Sequence, residues 1–296
     1  MKCFYHTDND GYCAGSLVYF YYKTFKPEAN ITPEDFIKYN YNGDPDLSMV
    51  SEGEELYFVD LSFKTNQYEL VKEMSEKYNL TWIDHHKSSM DLLKKHPELD
   101  NIKGIRNEEA SGAFLTYMYL WDVHSLDEIP YYVKLVSDYD IFTFNYGEQT
   151  TYFYLGTNTE DNNSCFSKLW SDLFYYNTKP LELIEKGRVI KKYVDHDNAR
   201  YLNSYGFEAK IGVYKCYVVN RISNSWIFGE KYEEYPVVCV YAYDGERYKY
   251  TLYSNANSGI DCEAIAKSFG GGGHKHAAGF SLNYNLFDEQ THLDLK

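Results

Sequence analysis

The chain has 296 residues, of which 44% are hydrophobic and 25% are charged, and its formal net charge is -15. This length suits one large domain or two ordinary ones. The acidic charge argues against sequence-independent binding to long duplex nucleic acid, which needs a basic surface, but it permits a small anionic substrate whose charge is met by metal ions.

Six scattered cysteines form no CxxC pair, so we expect reduced thiols rather than a structural zinc site or a disulfide framework. The N-terminal segment lacks the apolar run of a signal peptide, and no stretch approaches transmembrane length. We therefore expect a cytoplasmic protein that does not associate with a membrane.

The first half alternates between short apolar segments and longer segments with helical spacing. Strands are predicted at residues 2–5, 55–60 and 80–84, and helices at residues 12–25 and 65–78. This alternation predicts an α/β fold in which a parallel sheet carries helices on both faces. In such sheets, ligands bind beyond the carboxyl ends of the strands.

Helices dominate the middle of the chain, and strands return near its end. Residues 111–142 predict two helices, and residues 166–176 and 181–201 are also helical in pattern. Four strands are then expected within residues 207–253, followed by a helix at residues 261–269. We assign residues 1–190 to a metal-binding catalytic domain, 191–204 to a connecting helix, and 205–296 to a smaller α/β domain that binds substrate.

Ligand-type side chains follow the first predicted strand. His6, Asp8 and Asp10 alternate along it, and side chains two residues apart in an extended segment point the same way. Carboxylate and imidazole groups together suit a divalent metal. The alternative is an Asx-rich turn in which Asp10 caps the following helix.

Further ligand-type groups follow the other two strands of the first half. Asp60 ends one strand, and Asp84, His85 and His86 end the next. A helix cap is the alternative for Asp60, although Ser62 or Thr65 would serve better as a cap.

Two acids lie in the apolar segment LVSDYDIF. Asp138 and Asp140 would be costly to bury there unless they were paired or metal-bound. An ion pair with Lys134 is the alternative.

Taken in order, these motifs resemble the DHH phosphoesterase superfamily. They are HTDND at residues 6–10, VD at 59–60, DHH at 84–86 and SDYD at 137–140. The segment GGGGHKHAAGF at residues 270–280 looks like the glycine-rich motif of the associated DHHA1 domain. The resemblance covers nearly the whole chain, and it implies an N-terminal DHH domain and a C-terminal DHHA1-like domain with a cleft between them.

The resemblance also implies a site for two divalent ions, typically Mn²⁺, with Mg²⁺, Co²⁺ or Fe²⁺ as alternatives. Matching positions assign the first ion to His6, Asp8 and Asp60. They assign the second to Asp10, the bridging Asp60, His85 and Asp138, with Asp140 as the alternative to Asp138. His86 would face the substrate phosphate, and Asp84 would orient its neighbours.

The glycine run is expected to bind substrate, because backbone N–H groups without side chains can approach an anion closely. Gly271, Gly272, Gly273 and His274 are its candidates, and a flexible linker is the alternative. Arg221 and Asn255 are further candidates for phosphate or base contacts, although a solvated surface role is equally compatible with Arg221.

The expected activity is hydrolysis of short oligonucleotides or cyclic dinucleotides to mononucleotides. Two metal ions about 3.5–4 Å apart can activate a hydroxide that attacks phosphorus in line. The alternatives are a pyrophosphatase or polyphosphatase, and a catalytically silent nucleotide-binding module. The sequence leaves open whether the chain acts alone or as a homodimer.

Overall fold

The computed structural model describes residues 1–288. The chain divides into two compact units, Met1–Lys191 and Lys192–Lys296. The division falls within one long helix, Lys179–Tyr205.

The first unit is built on a parallel sheet of four strands in the order β2-β1-β3-β4. The strands are β1 (Lys2–Tyr5), β2 (Phe36–Lys38), β3 (Glu55–Val59) and β4 (Asn79–Ile83). Three of these strands were predicted. The sequence pattern missed β2, which has only three residues and therefore shows too little alternation to be recognised.

Eight helices accompany this sheet. They are α1 (Asn9–Phe25), α2 (Tyr68–Lys77), α3 (Lys87–Lys95), α4 (Gly112–Trp121), α5 (Tyr131–Asp140), α6 (Glu148–Thr157), α7 (Lys168–Tyr175) and α8 (Lys179–Tyr205). The predicted pair of helices within residues 111–142 corresponds to α4 and α5, whereas α3 and α6 were not predicted.

Alternate strand residues belong to two separate cores. Tyr57 and Val59 of β3 pack into one core with residues of α1, α4, α5 and α7, whereas Leu56 and Phe58 pack into another with residues of α2 and α3. Successive side chains of a strand point to opposite faces, so both faces of the sheet are covered by helices. The predicted α/β architecture is confirmed.

The second unit contains a six-stranded mixed sheet in the order β5-β6-β7-β8-β10-β9. Its strands are β5 (Gly206–Ile211), β6 (Tyr214–Asn220), β7 (Val237–Tyr243), β8 (Tyr248–Tyr253), β9 (Gly272–His274) and β10 (Ala277–Leu282). Within its described residues this unit has two α-helices, α9 (Lys231–Glu234) and α10 (Cys262–Ser268). Among the described strands of this second sheet, only β6 and β7 pair in parallel.

All six cysteines are free thiols with buried side chains. Three lie in the first unit (Cys3, Cys13 and Cys165) and three in the second (Cys216, Cys239 and Cys262). Within residues 1–288, none of the helices combines the length and apolar character required to cross a bilayer.

Candidate metal centre

Ligand-type side chains collect at the carboxyl edge of the first sheet. His6 follows β1, Asp60 follows β3, and His85 and His86 follow β4. Parallel strands bring these ends to one edge. Three overlapping groups have ligand atoms within 4.8 Å of one another: His6, Asp8 and Asp60; Asp60, His85 and His86; and Asp10, His85 and Asp140.

Asp60 is the centre of this arrangement. Its side chain is 1% exposed, and neither carboxylate oxygen has a hydrogen-bond partner among the described residues. The Nε2 atom of His85 lies 3.3 Å from one oxygen, and the Nδ1 atom of His6 lies 3.7 Å from the other. Burial, followed by the nearby charge of Asp10, raises the pKa of Asp60 well above its usual range. A carboxylate in such surroundings is stabilised by a cation.

The backbone of Asp60 is also unusual, with a φ angle of 55°. Left-handed backbone is uncommon in residues other than glycine, although aspartate and asparagine adopt it more readily than most. This conformation ends β3 abruptly and leaves the carboxylate at the edge of the sheet.

The turn after β1 holds His6 and Asp8 together. The Nδ1 atom of His6 lies 2.7 Å from a carboxylate oxygen of Asp8. Asp8, not Asp10, is the N-cap of α1, because its carboxylate accepts a hydrogen bond from the Gly11 N–H at 2.9 Å. Burial lowers the pKa of His6, but the carboxylates of Asp60 and Asp8 outweigh it and raise the value to about 10.

Glycine is required at position 11 for this turn to close. A Cβ atom at Gly11 would lie 2.3 Å from the carbonyl oxygen of His6. The final glycine of HTDNDG therefore belongs to the architecture of the site.

Asp10 joins the metal-ligand cluster to the N-terminus of α4. Its buried carboxylate accepts hydrogen bonds from the Ser111 hydroxyl at 2.6 Å, the Gly112 N–H at 2.6 Å and the Ala113 N–H at 3.0 Å. Helix N-termini stabilise negative charge, so the start of α4 holds this carboxylate in position.

Gly112 brings α4 against Asp60. A Cβ atom on Gly112 would lie 2.5 Å from the Cβ atom of Asp60. Ser111 is also the N-cap of α4, because its hydroxyl accepts a hydrogen bond from the Phe114 N–H at 3.4 Å, and neither Ser111 nor Gly112 was predicted as a site residue. The sequence does show a serine–glycine pair before an apolar helix. It does not show that this glycine contacts Asp60, which lies 52 residues earlier.

The DHH motif divides its three side chains between different tasks. Asp84 is fully buried, with one carboxylate oxygen 2.7 Å from the Nδ1 atom of His86 and the other accepting the Ser89 hydroxyl at 2.5 Å. Burial lowers the pKa of His86, but Asp84 outweighs this effect and raises it. His85 points into the cluster, where its Nε2 atom lies 3.3 Å from Asp140.

The fourth motif is arranged differently from the preferred prediction. Asp140, not Asp138, lies in the cluster, and burial together with Asp10 raises the pKa of Asp140 to about 8. Both acids belong to the last turn of α5, and residues two apart on a helix point in widely different directions.

Asp138 instead anchors the loop between α5 and α6. Its carboxylate, which is 3% exposed, accepts hydrogen bonds from four groups: the Thr143 hydroxyl (2.6 Å), the Asn145 N–H (2.7 Å), the Tyr146 N–H (3.2 Å) and the Thr150 hydroxyl. Within residues 1–288 it makes no ion pair with Lys134. The structure therefore uses Asp138 to hold this loop and brings Asp140, the alternative prediction, into the cluster.

The glycine run of the second unit forms an edge hairpin. A Cβ atom on Gly271 would lie 2.1 Å from the carbonyl oxygen of Gly279, and Gly273 has a φ angle of 144° and packs against Ala278. Gly272 faces open space, and His274 is exposed. Gly271 and Gly273 therefore have a packing reason to be glycine, independent of any ligand.

Asn255 and Arg221 also lie in the second unit. The Asn255 amide donates to the carbonyl of Tyr232 at 3.1 Å and accepts from the N–H of Asn257 at 3.0 Å, so both of its ends hold the local loop. Arg221 donates to Asp197 at 2.8 Å and lies over a tyrosine ring, while its Nη1 atom is buried without a partner among the described residues.

Comparisons with known proteins give one sequence relative of note. No protein-family model matches the chain. An uncharacterized protein of Acanthamoeba polyphaga mimivirus is 27% identical over 93% of this chain and 65% of its own length. The chain therefore spans about two thirds of the curated relative that it matches.

Two solved structures show the same architecture. A pGpG-specific phosphodiesterase, PggH, from Vibrio cholerae superposes with a TM-score of 0.56 at 12% identity, covering 96% of this chain and 94% of that one. The DHH domain of a protein assigned to a family of ribosomal proteins gives a TM-score of 0.57 at 12% identity, covering 97% of this chain and 83% of that one. At this identity the likeness concerns the fold, and the chain shares the fold of DHH-domain proteins, as its motifs predict.

Proposed function

We propose that this chain is a metal-dependent phosphodiesterase that hydrolyses short oligonucleotides or cyclic dinucleotides to mononucleotides. The observation that carries the proposal is Asp60, a buried carboxylate whose two oxygens lack donors among the described residues and lie among imidazoles and other carboxylates. A buried group left unsatisfied at a sheet edge marks a functional site rather than a structural one.

The residues fit a pair of divalent ions. One ion would be held by His6, Asp8 and Asp60, and the other by Asp10, Asp60, His85 and Asp140, with Asp60 shared. Carboxylate oxygens with imidazole nitrogens suit Mn²⁺ well and also admit Mg²⁺, Co²⁺ or Fe²⁺. When bound, such ions would supply positive charge to the phosphoryl oxygens and acidify a water molecule.

His86 is the residue of this chain assigned to the substrate phosphate. Its Nδ1 atom is held by the buried Asp84, which leaves the Nε2 atom to donate to a phosphoryl oxygen. The imidazole is 35% exposed, so it is accessible to substrate. The raised pKa of His86 favours the protonated form, which is the better donor to an anion.

A short substrate agrees with the charge of the chain. The formal charge of -15 opposes the binding of long polyanions, whereas a dinucleotide carries few charges. The name of PggH specifies pGpG, and its shared fold makes a linear dinucleotide the first substrate to test.

The test is a substrate panel assayed with Mn²⁺ and, separately, with EDTA. The panel contains a linear dinucleotide, a cyclic dinucleotide, pyrophosphate and a long single strand. We expect mononucleotide release from the short nucleotides, no turnover in EDTA and little turnover of the long strand. Turnover of pyrophosphate alone would replace this proposal with a pyrophosphatase, and binding without any turnover would indicate a silent nucleotide-binding module.

A further inference from the structure

A cavity of about 440 Å³ opens beside the candidate metal ligands in the first unit. Three carboxylates are among the groups that line it: Asp8, Asp10 and Asp140. Aromatic, apolar and amide side chains line the rest. The volume falls within the usual range for small-molecule sites.

Two tyrosines form an aromatic wall in this cavity. Tyr139 of α5 and Tyr154 of α6 stack face to face, with ring centroids 3.7 Å apart and planes within 7° of each other. Tyr12 and the buried Phe153 line the cavity with them. A planar aromatic ligand gains stacking energy on such a surface.

The loop anchored by Asp138 supports this wall. Phe142 and Phe144 both contact the ring of Tyr139, and both have positive φ angles, 55° and 50°. Bulky residues rarely adopt this backbone conformation without compensation from the surrounding structure. Here the compensation includes the hydrogen bonds of the loop to Asp138.

Part of the cavity lining is polar, and a chain of hydrogen bonds fixes the orientation of its side chains. The Thr157 hydroxyl donates to the carbonyl of Tyr154 at 2.7 Å, because a carbonyl can only accept. Thr157 must then accept from the Asn9 amide nitrogen at 3.3 Å, which turns the Asn9 oxygen toward the amide nitrogen of Asn162.

This chain of hydrogen bonds leaves N–H donors available to a ligand in the cavity. Asn9 and Asn162 both line the cavity, and each amide nitrogen has a second N–H beyond the one used in this chain. These side chains can therefore bind the acceptor atoms of a heterocycle.

We propose that this cavity binds the nucleobase of the nucleotide whose phosphate is held at the metal centre. The proposal rests on the proposed phosphodiesterase function and names the determinant of its substrate class. A nucleobase suits the cavity because the tyrosine pair and the amide donors match the face and the edge of a base.

The kinetic test compares Tyr154→Leu with the wild-type chain on two substrates. One is a linear dinucleotide, and the other is the same backbone with an abasic residue in place of one base, prepared for each of the two positions. Tyr154 lies on α6, away from the assigned ligands in sequence. Tyr154→Phe preserves the ring, and Tyr176→Leu is the matched control because Tyr176 is exposed and does not line the cavity.

We expect Tyr154→Leu to raise the KM for the natural dinucleotide about tenfold, which corresponds to one lost stacking contact, with kcat within about twofold. The abasic substrate that lacks the base bound in this cavity should have a high KM in both proteins. Tyr154→Leu should not change that KM. Tyr154→Phe and Tyr176→Leu should behave like the wild-type chain. Equal effects of Tyr154→Leu on the natural substrate and on both abasic substrates would overturn the base-binding assignment.

A binding measurement separates this proposal from the hydrolytic one. The probe is 2-aminopurine ribonucleoside 5′-monophosphate, which contains no phosphodiester and whose fluorescence falls when the base stacks. With Mn²⁺ present, we expect quenching by the wild-type chain and by Tyr154→Phe, and its loss in Tyr154→Leu.

Quenching without dinucleotide hydrolysis would leave the base site standing and remove the phosphodiesterase proposal. Dinucleotide hydrolysis without any quenching by the wild-type chain would support the phosphodiesterase proposal and remove the base site.

Discussion

The carboxyl edge of the first sheet and the glycine hairpin of the second differ in how their polar groups are satisfied. At the first edge, Asp60 has two buried oxygens without donors among the described residues, and further ligand-type side chains surround it. In the second unit, Asn255 uses both ends of its amide within its own loop, and Gly271 is packed against a neighbouring carbonyl.

This difference distinguishes motif residues whose polar atoms remain available to bind a ligand from motif residues whose polar atoms stabilise the fold. Both regions were identified by sequence motifs of similar clarity, yet of the two only the first leaves described side chains unsatisfied. A protein tolerates a buried, unpaired carboxylate only where function repays the cost in stability. The first region is therefore where substitutions should affect turnover most.

Asp60→Asn should have the largest effect. Asparagine retains the shape and tolerates the left-handed backbone, but it removes the shared anionic ligand, so kcat should fall at least about 10³-fold. Without metal, the variant should melt at a higher temperature than the wild-type chain, because asparagine fills the site with neither a buried charge nor a proton taken up on folding. Mn²⁺ should raise the melting temperature of the wild-type chain much more than that of the variant.

Thermal melts with Mn²⁺ and with EDTA, together with single-turnover assays, measure both effects. Full activity in Asp60→Asn, or an equal response of the two proteins to Mn²⁺, would remove Asp60 from the metal centre.

The two acids of the fourth motif form a matched pair of variants. Asp140→Asn should lower turnover about 100-fold, because this carboxylate lies beside His85. Asp138→Asn should mainly destabilise the fold, by about 1–3 kcal/mol, because its loop donors lose an anionic acceptor. Urea unfolding and kcat measured on both proteins check the assignment, and the reverse pattern would restore Asp138 as the ligand.

An alanine substitution at one glycine in each region allows a direct comparison of the two regions. Gly112→Ala forces a methyl group against Asp60 and should lower kcat about tenfold or more through displacement of that carboxylate. Gly272→Ala adds a methyl group in open space and should leave kcat within about twofold, since the added atoms meet no described neighbour. Circular dichroism confirms folding in each case. A large rise in KM for Gly272→Ala would show that the hairpin must stay bare to admit substrate.

Asn255→Ala should change turnover least. Removing the amide breaks two hydrogen bonds of the loop and should cost about 1–3 kcal/mol of stability, while kcat and KM remain near the wild-type values. Chemical denaturation and steady-state kinetics test this expectation. Higher KM at unchanged stability would instead return Asn255 to the substrate site.

Much of this organisation follows from local sequence patterns. Strands that end on acids and histidines predicted the sheet edge and most of the cluster, because strand polarity and the position of a strand end are local properties. The three-residue β2 and the helices α3 and α6 were missed. Neither β2 nor α6 carries a distinct apolar period, and α3 has only nine residues.

The remaining features depend on contacts between distant residues. The choice between Asp138 and Asp140 depends on which face of α5 turns toward His85, and the two acids are too close in sequence for a pattern to decide. The need for glycine at position 112 becomes clear only from its contact with Asp60. The role of Asp10 becomes clear only from its hydrogen bonds to the start of α4. Such long-range packing is decided by the whole tertiary structure.

The reactivity of the six buried thiols should report on the unfolding of the chain. Burial raises the pKa of each thiol, so the folded chain should react slowly with maleimides at neutral pH. Because three thiols belong to each unit, intact-mass and peptide-mass measurements after a brief maleimide pulse would count how many adducts each unit acquires. The cooperativity of the two units could thereby be followed without attaching a label to either.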